Sequence, residues 1–387
     1  MTLETSSARP RVVHVVRQFS PSVGGLEDCV LNLARVQQSE RGLSTRVVTL
    51  DRLFRAPSDR LATTDVIGGV PVTRIPWRGS SRYPLAPSVL GQIRDADLVH
   101  VHGIDFFFDF LAATRILHGK RLVASTHGGF FHTAFASGLK RVYFQTVTRM
   151  SCLAYDRIIA CSEQDAETFA VITPRNLVTV ESGVDIAKFA GAASPVPLRT
   201  LIAYGRFARH KRLETLFALL EALRGTGEDW RLIVAGVEGE VRGGDLASAA
   251  HAHGVEAATQ IVIGPTQSEL RALIGQASYF ISPSAYEGFG LAAVEGLSAG
   301  LVPVLSGIAP FRRLLAQATA GFEIDPEAPD AAARALQDGH RRWLAGQGLA
   351  GQGDVRAAMM AAAQPFDWRA AAKRYSEAYG FDSRGSS

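Results

Sequence analysis

The most constraining feature of this chain is a recurrence of short apolar runs. Five of them, RVVHVV (11–16), STRVVTL (44–50), DLVHVHG (97–103), RLVASTHG (121–128) and DRIIACS (156–162), occupy the first half. Five more follow: RTLIAYG (199–205), DWRLIVAG (229–236), TQIVIG (259–264), SYFISPS (278–284) and LVPVLS (301–306). Each is rich in β-branched residues and ends in turn residues, the pattern of strands buried on both faces. Amphipathic stretches such as GLEDCVLNLARVQQS (25–39) and KRLETLFALLEALRG (211–225) lie between them. That alternation predicts an α/β chain built as two Rossmann-like, doubly wound parallel-sheet domains facing a cleft, with ligands at the carboxyl ends of the strands.

A length of 387 residues suits two domains. AGAASPVPLRT (190–200) is the natural linker, its Ala, Ser and Pro separating the two series. The expected organisation is residues 1–193, residues 194–365, and a terminal helix over 366–387 that returns towards the first domain. Cys29, Cys152 and Cys161 form neither a disulfide framework nor a metal-ligand spacing and read as reduced thiols. No secretory core or membrane-length apolar run is present, so a soluble cytoplasmic chain is expected. Through Ala190 there are 22 Lys and Arg against 17 Asp and Glu, a net of +5, while the remainder carries −1. The first half therefore suits an anionic surface or ligand, with a solvated face of scattered charges as the alternative. Nucleic acid is not an expected partner.

Several stretches carry chemistry. In PSVGGLEDCV, Gly24 and Gly25 follow the first strand and open a helix, where backbone amides can approach an anion or simply make a tight turn. The dinucleotide fingerprint GxGxxG is absent there. In YGRFARHKRL, Arg206 and Lys211 are placed just past a strand and against a helix dipole, an arrangement suited to neutralising a diphosphate. In AYEGFGLAAVEGLSAG (285–300), Glu287 leaves the end of a strand and Glu295 lies two turns inside a helix among small apolar residues. A carboxylate that deep requires a partner, either vicinal sugar hydroxyls or a nearby cation. His127 ends a strand before paired glycines, a position that serves structure or ligand. His100 and His102 alternate on one strand without a third ligand nearby in sequence, and Asp95-x-Asp97 precedes a strand; neither is read as a metal site.

Together these motifs, in their order and spacing, resemble the retaining glycosyltransferases of family four, which have the GT-B fold. The pieces that carry the resemblance are Gly24-Gly25, GRFARHK, the two glutamates seven residues apart, and ESGVD (181–185), where Glu181 and Ser182 depart from the more usual Pro-Asn. VVHVVRQFSPSVGGLEDCVLNLAR and HGGFFHTAFASGLKRVYFQTVTRM narrow the likeness to bacterial mannosyltransferases that extend lipid-linked cellobiose in xanthan and acetan assembly. The resemblance implies transfer of mannose from GDP-mannose to cellobiosyl-diphospho-undecaprenol in an α-1,3 linkage. It also implies no metal and no other cofactor.

On the same resemblance, Arg206 and Lys211 bind the donor diphosphate. Glu287 contacts the transferred sugar, with Gly288, Phe289, Gly290 and Leu291 lining the donor site, and Glu295 holds the ribose. His127 reaches the sugar or the diphosphate, while Gly24, Gly25 and Ser162 face the acceptor side. Arg206, Lys211, His127 and Glu287 form the catalytic set, and a front-face displacement makes a carboxylate nucleophile unnecessary. A lipid acceptor implies peripheral contact with the inner face of the cell membrane. The basic, aromatic stretch 130–149, with Lys140, Arg141 and Arg149, is the candidate surface, its alternative a core helix with one solvated side. Rival readings are a transferase using UDP-glucose or another donor, a nicotinamide oxidoreductase, and a two-domain sugar-binding protein.

Overall fold

A computed structural model describes residues 9–22, 24–128, 137–318, 320–347, 349 and 354–381, and of Ser137, Leu139 and Lys140 only the backbone. All ten expected strands are present. The chain divides into two units, Met1–Gly183 with Trp368–Ser387, and Val184–Asp367.

The first unit is a single sheet of eight strands. In chain order they are β1 (Arg11–Val16), β2 (Ser44–Leu50), β3 (Thr64–Ile67), β4 (Val70–Ile75), β5 (Leu98–His102), β6 (Arg121–Ser125), β7 (Arg157–Ala160) and β8 (Leu177–Thr179). Their spatial order is β8-β7-β6-β5-β1-β2-β4-β3, parallel throughout except for the β3–β4 pair. Helices α1 (Gly25–Glu40), α2 (Phe106–Ala113) and α3 (Glu163–Ala170) belong to this unit. One face of the sheet packs Val13, Val15, Val99, Val101, Leu122 and Ala124 against Phe107, Phe108 and Leu111 of α2. The other face packs Val12, Leu98 and Val123 with Cys29 and Leu33 of α1 and with Tyr375 and Tyr379.

The second unit has six parallel strands: β9 (Thr200–Phe207), β10 (Arg231–Glu238), β11 (Thr259–Ile263), β12 (Tyr279–Ser282), β13 (Val302–Ser306) and β14 (Phe322–Ile324). They lie in the order β11-β10-β9-β12-β13-β14. Helices α4 (Thr215–Arg224) and α5 (Leu291–Ala299) supply Leu216, Phe217, Leu220, Ala293, Val294 and Leu297 to its core. The strands that periodicity does not reveal, β3, β4, β8 and β14, lie at or next to sheet edges, where one side meets water and no continuous apolar run is required.

The division falls at Gly183/Val184, before the expected linker. Phe189 and Ala193 are core residues of the second unit. The 190–194 backbone is strapped down by Gly191 N–H to Ser298 (3.1 Å), Ala193 N–H to Ala299 (2.9 Å) and Ser194 N–H to Ala277 (3.1 Å). Small residues here allow close packing rather than free reach. The second crossing is at Asp367/Trp368, after which α6 (Trp368–Tyr379) packs on α1 within the first unit. Gly183 sits directly against Trp368, whose Cα would stand 2.6 Å from an added Cβ.

Candidate active site

In the second unit, the carboxyl ends of β9 and β12 and the start of α5 enclose a concavity of about 380 Å³, counting space open to solvent. Gly205, Arg206, Lys211, Ser282, Glu287 and Gly290 are among its lining residues. A parallel sheet places loops and helix amino ends at this edge, so polar groups collect there while the interior stays apolar.

Arg206 is not past the strand as expected but on its penultimate residue, exposed. Gly239 makes room for it: a Cβ there would lie 2.8 Å from the Arg206 Nε. Lys211 ends the 3-10 turn Arg209–Lys211, which is fastened to the other wall by Ala285 N–H donating to the His210 carbonyl (2.8 Å). Arg212 then takes φ +51°, a left-handed conformation uncommon outside glycine and a marker of constrained functional loops.

Glu287 closes the pocket by pairing with Lys211, and it also accepts from the Ser284 hydroxyl (3.0 Å). Ser284 is in turn hydrogen-bonded to Ser282 (2.9 Å). The pair is partly buried, with the lysine and glutamate side chains 21% and 14% exposed. Gly288 and Leu291 are exposed beside it, and Phe289 lies edge-on to Phe366. Gly290 caps α5 at φ +87°, where a side chain would strike Phe311 at 2.9 Å. Tyr204 ties β9 to α5 by donating to the Ala292 carbonyl (3.0 Å).

Glu295 stands only one turn inside α5, and its partner is Lys188, Nζ to carboxylate 2.8 Å. Burial raises the Glu295 carboxyl pKa and the lysine opposes that rise. Lys188 was not singled out in the sequence because 107 residues separate the two, and KFAGAAS carries no local signal. Arg271 holds the Lys188 and Ala190 carbonyls (both 3.1 Å), which fixes the segment that presents the lysine.

In the first unit, His127 follows β6 with φ +51° and is half-buried. Its Nε2 meets His102 Nδ1 at 3.0 Å, and its Nδ1 faces the Cys161 sulfur at 3.7 Å. Asp165 holds this turn, accepting from the Thr126 hydroxyl (2.5 Å) and the Gly128 N–H (2.9 Å). Burial lowers the His127 pKa to about 4. His14 supplies what the sequence did not show beside His100 and His102: among the described residues these three imidazoles lie close enough to share a metal ion. Each of their ring nitrogens already has a protein hydrogen-bond partner.

Gly24 and Gly25 begin α1, and space is open where a Gly25 Cβ would stand. The Glu27 carboxylate is 2.6 Å from the corresponding point on Gly24 and accepts from Ser22 (2.7 Å). A carboxylate already placed at this helix end favours a neutral hydroxylic ligand over an anion. Ser162 has a local task instead of an evident ligand-facing one: its hydroxyl caps α3, accepting from the Asp165 N–H (3.1 Å). Asp95 is held below the usual carboxylate range, at about 2, by its bonds to Arg46, and Asp97 accepts from the Arg11 N–H; both serve the sheet margin.

Of the stretch 130–149, residues 130–136 and the Lys140 side chain lie outside the described residues. Phe144 is core, 3% exposed and edge-on to Phe169, and Tyr143 donates to the Asp109 carboxylate. Arg141 and Arg149 are exposed.

A diphosphate-sized pocket with two cations and a carboxylate, on one of two parallel α/β sheets, defines a class of nucleotide-sugar enzymes. The family model described as "Glycosyltransferase Family 4" matches residues 23–188, and "Glycosyl transferases group 1" matches 187–340. The chain belongs to the family-four glycosyltransferases and has their GT-B fold. It is 48% identical over 369 residues to the GDP-mannose:cellobiosyl-diphosphopolyprenol alpha-mannosyltransferase of Komagataeibacter xylinus, covering 95% of this chain and 92% of the relative. The protein of the same description from Xanthomonas campestris is 48% identical over 370 residues, with 95% and 96% covered. A glycosyltransferase structure from Rickettsia africae matches with a TM-score of 0.71 at 15% identity, over 98% of this chain and all of that one.

Proposed function

We propose that this glycosyltransferase moves mannose from GDP-mannose to a cellobiosyl-diphospho-polyprenol, with retention at the anomeric carbon and an α-1,3 linkage. The observation that carries this reading is the 48% identity to two enzymes of that description, which spans both units and not the donor half alone.

Arg206 and Lys211 neutralise the diphosphate as the glycosidic bond breaks, the point at which negative charge grows on the leaving group. Two fixed cations supply the charge that a divalent metal supplies elsewhere, and the reaction is read as metal-independent. Glu287 orients Lys211 and accepts hydroxyls of the sugar; Glu295 does the same for the ribose, with Lys188 keeping it ionised. The departing phosphate oxygen takes the acceptor's proton on the face where the new bond forms, so no enzyme nucleophile is required.

The acceptor's lipid places the enzyme at a bilayer surface, peripherally. No helix of the described chain is long and apolar enough to cross a membrane. Ile116, Leu117, Met150 and Leu153 are 96%, 80%, 69% and 73% exposed. The Arg115–Asp156 bond of 2.8 Å brings their two segments together, and Arg141 and Arg149 belong to the same region. Apolar side chains flanked by cations suit an anionic interface.

The test is a panel of labelled GDP- and UDP-sugars against polyprenyl-diphosphate-linked short glucans. Mannose transfer from GDP-mannose alone is the expected result, and transfer of glucose from UDP-glucose would replace the donor assignment.

A further inference from the structure

Beneath the first sheet a chain of buried polar groups runs from α1 and α6 to His127. β1, β5 and β6 are neighbours, so His14, His100, His102 and Ser125 project from the same face of adjacent strands. That face is covered by α1 and α6, which contribute Gln37 and Tyr379. All six side chains are at most 1% exposed. Isolated histidines and a glutamine in such a place are costly, and here each has a partner.

His127 Nε2 meets His102 Nδ1 (3.0 Å), and His102 Nε2 meets His14 Nδ1 (2.9 Å). His14 Nε2 meets Gln37 Oε1 (3.0 Å). On the other side of the amide, Gln37 Nε2 donates to the Tyr379 hydroxyl (3.1 Å). That hydroxyl meets His100 Nδ1 (2.7 Å), and His100 Nε2 meets Ser125 Oγ (2.8 Å). Burial lowers the pKa of all four histidines, His14 and His127 to about 4, so each ring carries one proton at neutral pH.

A neutral imidazole that donates at one nitrogen must accept at the other, which gives the chain a direction. The Gln37 carbonyl oxygen can only accept, so His14 bears its proton on Nε2 and accepts at Nδ1. His102 must then donate from Nε2 and accept at Nδ1, and His127 must donate from Nε2. We propose that Gln37, His14 and His102 are positioning residues that set the tautomer of His127, leaving its Nδ1 as a hydrogen-bond acceptor at the end of the chain. Cys161 is consistent with this polarity: burial raises its pKa to about 11, so the thiol facing Nδ1 keeps its proton.

The consequence is one of ligand chemistry and rests on the transferase reading above. An acceptor nitrogen receives a hydroxyl and repels a phosphate oxygen, so His127 reads a sugar hydroxyl and not the diphosphate. Gln37 and Tyr379, on helices that never approach a substrate themselves, act through the chain.

Long-range proton–nitrogen NMR on the full chain with ¹⁵N-histidine tests the proposal without substrate, and so separately from the donor and acceptor assignment. At pH 7 the expected spectrum shows His14, His102 and His127 all protonated on Nε2 and bare on Nδ1. A proton on Nδ1 of any of the three, or a zinc-induced loss of their signals at stoichiometric metal, overturns it. Gln37→Met, similar in size without the carbonyl, is expected to mix the His127 tautomers and lower kcat/KM about tenfold. Gln37→Glu keeps an acceptor for His14 in either protonation state and is expected to restore both the tautomer and most activity. A purely structural role predicts the reverse, with an ionisable group at a fully buried site the more damaging change. If Gln37→Met does not fold, the wild-type spectrum still decides.

Discussion

The Glu287 carboxylate holds the Lys211 ammonium at the mouth of the donor pocket, joining a loop after β12 to a turn after β9. The pair fixes a cation where a diphosphate is to be bound, and Ser284 keeps the carboxylate from turning away. Lys211→Met is expected to lower turnover about 100-fold or more, the scale of losing one charged group that stabilises a leaving group. Glu287→Gln retains hydrogen bonding but frees the lysine and should cost less. Initial-rate kinetics with GDP titrations check both, and near-normal turnover in either variant would remove these residues from the site.

Lys188 does the corresponding work for Glu295. Lys188→Met leaves a mostly buried carboxylate without its cation and should cost about 2 kcal/mol of stability at pH 7. The sign of the pH dependence follows from the raised Glu295 pKa. A carboxyl whose folded pKa lies above its unfolded value gains stability as pH falls through the raised value, because the folded state binds the proton more readily. Urea unfolding of the variant and the wild type at pH 7 and pH 5 should therefore show the deficit shrinking at the lower pH.

The buried histidines make the first unit acid-sensitive. His14 has a folded pKa of about 4 against 6.5 unfolded, so its contribution is complete above pH 6.5 and declines as pH falls towards 4. At pH 5 this one group costs about 2 kcal/mol. Asp105, raised to about 6 by burial, acts in the opposite direction over the same window. Comparison with His14→Asn isolates the histidine: the variant starts less stable at pH 7.5 and should lose less on acidification to pH 5.

Gly183 has no room for a side chain. A Cβ would lie 2.5–2.7 Å from Trp368 atoms, one of them the backbone Cα, which has nowhere to move without shifting α6. Gly183→Ala should destabilise the chain by about 2–3 kcal/mol, measured as a lower urea midpoint. Because α6 also carries Tyr379, the same substitution should disturb the His100 signals.

Membrane contact is tested at both the charges and the apolar residues. Reversing Lys140, Arg141 and Arg149 should reduce sedimentation with anionic liposomes several-fold and make the remainder insensitive to salt. Ile116→Ser with Leu117→Ser should weaken binding at every salt concentration. Unchanged binding in both variants would rule out this surface.

The strand–helix recurrence was enough, from the sequence alone, to determine two parallel sheets, because strands covered on both faces must be apolar throughout. GRFARHK and the paired glutamates marked the donor pocket for a related reason. Charged residues next to buried strands are costly unless something binds them, so they stand out against the pattern. Partnerships between distant positions were settled only by tertiary structure. Periodicity says which face of a strand is buried but not which strand lies beside it. The order β6-β5-β1 is what turns His14, His100, His102 and His127 into one chain, and what closes it through Gln37 and Tyr379. The same holds for Lys188 and Glu295, and for the 190–200 segment, whose small residues read as a linker until the core of the second unit packed against them.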